Sequence, residues 1–406
     1  MDCLKKKNIL IVHNYYQLPG GEDTVVANEE NMLKKHGNKV FLYSRDNSEL
    51  KRMGLIRKVC LPFTTVFNIK TYKDIRKIIK TEKIDIVQVH NTLNLVSPSV
   101  YYAAVKCGVP VIQTIHNFRL LCPGATFYRD GHICEDCMKK GIYCAVKYRC
   151  YRDSRIQSLA CVLNTFIHRM TGIYRKIFYI CLTDFNKNKL LALKQINPEK
   201  VFVKPNFVAE NRKPYYGSSK KSAYIFAGRL EKLKGIDILL KGWKELGEQA
   251  PKLVICGGGP LENWCKNYIA EYNLNIDMQG FIPNQQLIDL VAHSKALILP
   301  TQCYEGGFPL NIVEAFSVGT PVIVSDMGNA GSMVQDGVDG IKFKYNSITS
   351  LCDAVHRMEN MNIDILGKNA YMKYREKFTE DINYTILQKI YARIQGESLV
   401  SDEVSE

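Results

Sequence analysis

Two cations and two carboxylates in the second half of the chain have the chemistry of a phosphate and sugar site. Arg229 and Lys234 follow an apolar run and precede Gly235, while Glu305 and Glu314 flank a later glycine turn. Two permanent cations beside the start of a helix suit a diphosphate, because backbone N–H groups there also attract anions. Carboxylates accept hydrogen bonds from hydroxyl groups, so the two glutamates suit a ribose and a sugar.

Two glycine turns would bring backbone close to the same ligand. Gly258 lies in a loop after an apolar run, and the other turn leads from Glu305 into a predicted helix. Glycine allows a close approach of backbone to a ligand. The residues of the second turn that we assign to ligand binding are Gly307, Phe308, Pro309, Leu310 and Asn311.

The first half of the chain offers a second set of polar residues at the ends of predicted strands. Gly20 and Gly21 follow the first apolar run, while His90, with Asn91, and His116 follow two later runs. A Gly-Gly turn is often only a turn, and a lone histidine is more often structural than catalytic. Two histidines at strand ends that face one cleft favour function, so we predict His116 as catalytic and His90 and Asn91 as contacts of a second substrate.

The elements that must position these residues are short buried strands alternating with longer amphipathic runs. This pattern predicts an α/β fold in which two doubly wound, Rossmann-like domains face one cleft. Ligands of such folds bind beyond the carboxyl ends of the strands. The predicted strands are Ile9–Val12, Val40–Tyr43, Ile84–Val89, Val109–Thr114, Phe178–Leu182, Tyr224–Ala227, Leu253–Cys256, Ile276–Gly280, Ala296–Pro300 and Pro321–Ser325.

The same pattern sets the predicted domain boundaries. Residues 1–205 form the N-terminal domain, which is interrupted by a Cys-rich insertion at 120–152. Residues 206–380 form the C-terminal domain and begin with a polar linker. Residues 381–406 are predicted as a helix packing back toward the N-terminal domain, followed by a polar tail.

Charge is distributed unevenly along the 406 residues. The net charge is +15, and residues 1–205 hold 34 Lys and Arg against 16 Asp and Glu. Such a field attracts polyanions or an anionic membrane, unless it only reflects a Lys-rich proteome. No signal peptide and no apolar run of about 18 residues is found, which favours a cytoplasmic or peripheral protein.

The second-half motifs resemble those of a known family. Gly228-Arg229-x4-Lys234-Gly235, the Gly257–Pro260 loop and the pair Glu305 and Glu314 together resemble the group 1 (family 4) glycosyltransferases of the GT-B fold. The resemblance implies that Arg229 and Lys234 bind the diphosphate of a nucleotide-sugar donor. It also implies that Glu305 contacts the transferred sugar and that Glu314 holds the ribose.

The resemblance extends to the first half and has one departure. It implies that glycines such as Gly20 and Gly21 approach the donor diphosphate and the acceptor, and that a histidine such as His116 lies near the donor sugar. The family usually places seven residues between its two glutamates, whereas eight separate Glu305 from Glu314. We expect the extra glycine of the Gly306–Gly307 pair to be absorbed in the loop.

The resemblance also implies the reaction. Family members retain the anomeric configuration, by a same-face displacement in which the leaving diphosphate accepts the proton of the acceptor. No Asp-x-Asp motif is present, so we expect no metal cofactor in catalysis and activity in EDTA. The donor is expected to be a UDP- or GDP-sugar.

Four cysteines of the insertion are spaced C-x11-C-x2-C-x12-C, and they are Cys122, Cys134, Cys137 and Cys150. A C-x2-C pair with two further thiols predicts a structural zinc site, and the alternative is a set of reduced thiols in a loop over the acceptor. The segment around these cysteines resembles a subgroup of the family that is linked to surface polysaccharide assembly (capsule, exopolysaccharide or O-antigen).

A cluster of basic and aromatic residues in the first half suggests where the acceptor resides. Such a face can lie on an anionic membrane, although charge runs are usually only solvated. We expect a glycan or undecaprenyl-diphosphate-linked acceptor at the inner face of the cytoplasmic membrane. The cluster comprises Lys51, Arg52, Arg57, Lys58, Lys70, Lys73, Arg76, Lys77 and Lys80 with Phe63, Phe67 and Tyr72.

Two other functions remain compatible with the motifs. One is a transferase with a soluble acceptor, such as a glycogen-type or sucrose-type synthase; phosphorylases are far longer and need a pyridoxal lysine. The other is a non-catalytic protein that binds a sugar nucleotide or a nucleic acid. No nucleic-acid fold signature is present, so nucleic acid is not an expected partner.

Overall fold

The computed structural model describes residues 6–17, 20–210, 214–215 and 223–396, and the chain divides into two compact units. Unit 1 holds the described residues up to Ala125, Asp136–Asn206 and those from Glu380 onward, while unit 2 holds Thr126–Glu135 and those of Phe207–Thr379. Pro19, most of the predicted linker and the polar tail lie outside the described residues.

Unit 1 is built on a six-stranded parallel sheet in the order β2-β1-β3-β4-β7-β8. Apart from the edge strand β2, which is partly exposed, its strands are largely apolar and buried, as expected for a sheet covered on both faces. They are β1 (Asn8–Tyr15), β2 (Lys39–Asp46), β3 (Ile86–Val89), β4 (Val111–Ile115), β7 (Phe178–Cys181) and β8 (Val201–Val203).

Nine helices belong to the described part of unit 1. They are α1 (Gly21–Lys35), α2 (Leu55–Val66), α3 (Ile69–Thr81), α4 (Ser99–Lys106), α5 (Asp136–Lys139), α6 (Cys144–Lys147), α7 (Arg155–Met170), α8 (Asp184–Leu191) and α16 (Glu380–Gln395). Helix α1 begins at Gly21, and Gly20 serves as its N-cap.

Unit 2 has its own six-stranded parallel sheet in the order β11-β10-β9-β12-β13-β14. The strands are β9 (Tyr224–Ala227), β10 (Leu253–Cys256), β11 (Ile276–Gly280), β12 (Ala296–Leu299), β13 (Val322–Ser325) and β14 (Gly340–Phe343). A two-stranded hairpin from the Cys-rich insertion, β5 (Tyr128–Arg129) and β6 (His132–Ile133), also belongs to this unit.

The described part of unit 2 contains seven helices. They are α9 (Ile236–Leu246), α10 (Glu262–Glu271), α11 (Asn284–Ala292), α12 (Leu310–Ser317), α13 (Gly328–Met333), α14 (Ile348–Glu359) and α15 (Ile363–Lys377). The fully buried Trp243 of α9 lies in the core between helices and sheet.

The fold class predicted from the sequence, two Rossmann-like α/β domains, is confirmed, and all ten predicted strands are present. Strands β8 and β14 and the hairpin strands β5 and β6 were not predicted from the sequence. Each sheet reverses its strand order once, between β1 and β3 in unit 1 and between β9 and β12 in unit 2. Doubly wound folds bind ligands outside such switch points.

Candidate functional site

The switch point of unit 2 brings Lys234 and Glu305 together. Lys234 Nζ lies 2.7 Å from both carboxylate oxygens of Glu305, although 71 residues separate the two. Lys234 follows β9, and Glu305 follows β12, the strand beside it. Thr301 Oγ1 donates a further hydrogen bond of 2.8 Å to Glu305. The paired groups therefore stand at the carboxyl edge of the two strands where a ligand is expected.

Backbone geometry fixes both partners. Gly235 has a φ of 74°, and a Cβ there would lie 1.7 Å from the carbonyl oxygen of Pro300, so only glycine lets the two loops touch. Glu305 itself has a φ of 49°, an uncommon conformation for a side chain-bearing residue. Asn329 holds this turn by donating to the carbonyl oxygens of Glu305 and Gly307. The extra glycine of the loop thus leaves Glu305 directed at Lys234.

The pair is electrostatically coupled. Burial lowers the pKa of Lys234, but the charges of Glu305, Cys303 and Glu231, together with the hydrogen bond to Glu305, raise the pKa overall. Lys234 is therefore a cation at neutral pH. An ammonium carries three donors, so one N–H remains for an anion when two point to Glu305.

The loop after β10 contains glycines of two kinds. Gly257 has a φ of 132°, and a Cβ there would lie 2.0 Å from the carbonyl oxygen of Gly228. A Cβ on Gly258 would meet only Glu262 Oε2, at 3.5 Å. The fold therefore requires glycine at 257, whereas nothing within the chain requires it at 258. Close approach of a ligand is a reason for glycine at 258.

Helix α12 presents its first turn at the same edge. Asn311 Nδ2 donates to the carbonyl oxygen of Ala227 at the end of β9, which ties the helix start to that strand. Phe308 is buried against Phe378, with ring centroids 5.6 Å apart. The N–H of Ile312 in this turn is bonded to the carbonyl oxygen of Pro309. The start of a helix in general favours an anion.

Glu314 lies on α12, and Asn284 Nδ2 is 3.4 Å from its carboxylate. Burial raises the pKa of Glu314, and the hydrogen bond from Asn284 only partly opposes this. Arg229 is more than half exposed, and its Nε lies 3.7 Å from Glu231. Arg229 is thus held loosely, unlike Lys234.

The hairpin of the insertion contacts the loop that carries Glu305, which sequence reasoning missed. Tyr304 Oη donates to Glu135 across 3.1 Å, and the Phe127 ring packs edge-on against Tyr304 at 5.8 Å. Tyr128 Oη lies 3.3 Å from Gln302. No sequence signal links segments so far apart in the chain.

In unit 1, His90 and His116 meet at the ends of the neighbouring strands β3 and β4. His90 Nδ1 lies 2.8 Å from His116 Nε2, and both rings are buried. Burial, followed by the charge of nearby groups, lowers the pKa of both imidazoles well below the ordinary range. The pair is therefore neutral and shares one hydrogen bond.

A buried ionic network supports this pair. Glu29 Oε2 lies 3.9 Å from His90 Nε2, and Glu29 Oε1 lies 3.5 Å from Lys204 Nζ. Gln88 donates to Glu29 across 2.5 Å and accepts from Tyr391 of α16 across 2.6 Å. The C-terminal helix thus completes a network behind the histidines, which sequence patterns had not indicated.

Other predicted residues of unit 1 have distinct surroundings. Asn91 donates to the carbonyl oxygen of Asn14 and accepts from the N–H of Leu93, so its side chain holds the loop. Gly20 caps α1 with a φ of −139°, and a Cβ there would meet nothing within 4 Å. Gly21 is the first residue of α1.

Glu22 is a titratable residue beside these glycines that had been given no role. Its carboxylate accepts a 2.8 Å hydrogen bond from Tyr16 Oη. Burial raises the pKa of Glu22 to about 8, against the lowering effect of Tyr16. In the sequence, the feature that could have identified Glu22 as a candidate was its position in the Gly20–Glu22 turn.

Three of the four predicted zinc ligands, Cys122, Cys137 and Cys150, lie in unit 1. The thiol of Cys137 lies beside that of Cys122, and this contact, with burial and nearby Cys150 and Cys144, raises its pKa. Cys134 belongs to unit 2 instead. Over residues 6–17, 20–210, 214–215 and 223–396, no group of three or more His, Cys, Asp or Glu is placed to hold a metal ion. Zinc stays a prediction from the spacing.

The predicted basic and aromatic face is partly exposed. Phe63 and Phe67 are exposed, whereas Tyr72 and Arg76 are half-buried, and the side chains of Arg57 and Lys58 lie outside the described residues. Within the described part of the chain, every helix is too short or too polar to cross a bilayer.

Comparison with known families accounts for both units. The family described as glycosyl transferases group 1 matches residues 208–380, and Glycosyltransferase Family 4 matches residues 19–212. The chain belongs to the group 1 glycosyltransferases of the GT-B fold. Nucleotide-sugar binding and glycosyl transfer are the activities of this class.

Individual relatives agree with this assignment. An Escherichia coli UDP-Gal:alpha-D-GlcNAc-diphosphoundecaprenol alpha-1,3-galactosyltransferase is 26% identical over 348 residues, 79% of each chain. A Salmonella typhimurium putative colanic acid biosynthesis glycosyltransferase is 25% identical, over 42% of this chain and 44% of that protein.

Solved structures support the fold. A glycosyltransferase from Rickettsia africae superposes with a TM-score of 0.67 at 18% identity, covering 97% of this chain and all of that one. Anabaena HepE in complex with UDP has a TM-score of 0.62 at 16% identity, covering 96% and 100%.

Proposed function

We propose that this protein is a retaining, metal-independent glycosyltransferase that moves a sugar from a UDP- or GDP-sugar to a glycan or lipid-linked acceptor in surface polysaccharide synthesis. The observation that carries the proposal is the Lys234–Glu305 pair at the β9–β12 switch point. A cation and a carboxylate side by side suit the two ends of a sugar diphosphate.

The proposed donor site assigns one role to each group. Lys234, Arg229 and the first-turn N–H groups of α12 bind the diphosphate and stabilise the charge that develops as it leaves. Glu305 accepts hydrogen bonds from the transferred sugar, and Glu314 accepts them from the ribose. Gly258 lets backbone approach the phosphates.

The acceptor side is assigned to unit 1. His116 contacts the transferred sugar as a neutral imidazole, held by His90, while Gly20 and Gly21 line the approach. The leaving diphosphate takes the proton of the acceptor hydroxyl, so no side chain needs to ionise. Burial keeps the pKa of His116 low, in keeping with a hydrogen-bonding role.

The finer parts of the proposal rest on the relatives. The E. coli protein acts on a diphosphoundecaprenol-linked sugar by name, which supports a lipid-linked acceptor and a peripheral place at the inner face of the membrane. The colanic acid relative supports surface polysaccharide synthesis.

A release assay tests the chemistry. Purified protein is mixed with UDP- and GDP-sugars and a synthetic short-chain lipid-diphosphate sugar, and nucleoside diphosphate and the anomeric configuration of the product are measured. Retention, in EDTA as without it, is expected; inversion or loss of turnover in EDTA would contradict the mechanism. If Glu305→Ala transferred sugar at the wild-type rate, the role proposed for Glu305 would be wrong.

The structural zinc is a separate proposal. Elemental analysis of protein purified without chelator is expected to find about one zinc per chain if the cysteine spacing reflects a site. Only traces of zinc would leave the alternative, reduced thiols in a loop.

A further inference from the structure

Helix α7 of unit 1 has its apolar side turned outward. Its exposed stripe follows helical spacing and includes Ile156 at 77% and Met170 at 72% exposure. The remaining members of the stripe are Leu159, Leu163 and Phe166. A surface helix of a globular protein normally turns such a stripe to the core.

The inward side of α7 is mostly polar, although Cys161 and Val162 are also buried there. Ser158 and Thr165 are buried there, and His168 Nε2 lies 2.9 Å from the carbonyl oxygen of Val66 while its Nδ1 lies 2.9 Å from Tyr102 Oη. These hydrogen bonds fix the rotation of the helix. The outward apolar stripe is therefore built into the fold.

Helix α2 packs beside α7 and repeats the arrangement. Ile56 is 81% exposed, and Val59 and Phe63 follow it at helical spacing, also exposed. We call the two stripes together the α2–α7 surface. Neighbouring exposed apolar side chains on two packed helices mark a contact with another apolar phase.

Charge identifies the occupant. Residues 51–85 hold ten Lys and Arg against three Asp and Glu, and residues 135–184 hold nine against four. The two segments that carry α2 and α7 therefore have a strong excess of positive charge. Two copies of such a surface would repel each other, whereas anionic lipid attracts it.

A groove of about 420 Å³ adjoins the end of both helices. Phe67 and Tyr102 line it together with Lys106 and Lys176. Phe67 caps α2, and Thr171, which caps α7, also lines the groove. Aromatic walls with two ammonium groups suit the boundary between acyl chains and phosphate head groups.

We propose that the α2–α7 surface inserts into the interfacial region of an anionic phospholipid bilayer, with Lys106 and Lys176 at the head-group phosphates. The proposal gives a location to the membrane association in the proposed function and does not depend on the transfer chemistry. Insertion of apolar side chains and attraction of basic ones act together in such contacts.

Vesicle sedimentation tests the proposal. The full chain is mixed with vesicles of phosphatidylglycerol and phosphatidylcholine or of phosphatidylcholine alone. Wild-type protein is expected to bind the anionic vesicles. Leu163→Ser/Phe166→Ser should bind at least about tenfold more weakly, because two large apolar side chains no longer leave water. Lys106→Gln/Lys176→Gln should lose part of the preference for anionic lipid.

The matched control is Phe281→Ser, which removes an 88% exposed aromatic from unit 2 and should bind vesicles as wild type does. The rise in unfolding temperature that UDP or GDP causes should be the same in every variant as in the wild type. This measurement separates the membrane proposal from the donor site. Equal binding by Leu163→Ser/Phe166→Ser, or no binding by wild type, would overturn it. So would a stable dimer that this double variant dissociates without vesicles.

Discussion

Lys234 Nζ lies 2.7 Å from both carboxylate oxygens of Glu305 and joins the loops that follow β9 and β12. These strands are neighbours at the point where the strand order in the sheet of unit 2 reverses. The two charges neutralise each other while both remain at the edge where ligands of this fold bind. A diphosphate sugar offers one partner to each.

Removing the charge of Lys234 should impair donor use. Lys234→Gln is expected to reduce kcat/KM for the donor about 10²–10³-fold, as the loss of one charge-stabilising donor does. Steady-state kinetics measure this. Lys232→Gln, in the same turn but exposed, is the matched control and should stay within about twofold. Similar losses in both variants would point to a general field effect.

Gly257 and Gly258, two of the three glycines after β10, should separate folding from binding. Gly257→Ala forces a Cβ onto the carbonyl of Gly228 and is expected to destabilise the protein by about 2 kcal/mol or more. Gly258→Ala should fold normally and weaken donor binding about tenfold or more. Thermal unfolding with and without nucleotide measures both. If Gly258→Ala bound nucleotide as tightly as the wild type does, the proposal that the ligand approaches this loop would be wrong.

The buried network behind the histidines should matter for stability. Glu29→Gln leaves Lys204 without its counter-charge, and breaking a buried pair costs about 3–5 kcal/mol of unfolding free energy. Urea unfolding measures the loss. Glu30→Gln, one residue along α1, removes only a surface pair with Lys34 and should cost about 0.5 kcal/mol or less. Equal losses of unfolding free energy in Glu29→Gln and Glu30→Gln would mean that the buried network contributes no more to stability than a surface ion pair does.

The histidine pair predicts loss of stability in acid. Burial lowers the pKa of His90 and His116, so the folded state resists protonation that the unfolded chain accepts. Stability is therefore complete above the unfolded pKa of about 6.5 and falls as pH drops below it. Unfolding at pH 7.5 to 5 tests this. His90→Gln should reduce the dependence of the unfolding free energy on pH. His356→Gln, at an exposed position, should not.

Glu22 predicts the opposite trend at higher pH. Its pKa is raised to about 8, so the folded state keeps a proton that the unfolded chain loses from about pH 4.5 upward. Stability should fall as pH rises through this window, by roughly 5 kcal/mol in all, and Glu22→Gln should remove that fall. Glu49→Gln is the control, because a hydrogen bond from Arg45 lowers the pKa of Glu49. A slope unchanged in Glu22→Gln would contradict the raised pKa.

The strands, the turns and the family were accessible from the sequence. Continuous apolar runs and the glycines that end them are local signals, so all ten predicted strands are present, as are the turns carrying Lys234 and Glu305. Capping is equally local, since Thr183 Oγ1 accepts a hydrogen bond from the N–H of Asn186 at the start of α8.

Tertiary structure alone decided which of these residues meet. Strand order brings His90 to His116 and Lys234 to Glu305, and no local pattern encodes the order of strands in a sheet. The same holds for the hairpin that contacts Tyr304 and for α16, which supplies Tyr391 to the Glu29 network. The sequence did not predict that the apolar face of α7 turns outward, for a related reason. Amphipathicity gives a helix two faces, and only packing, through buried polar groups such as His168, decides which one turns to water.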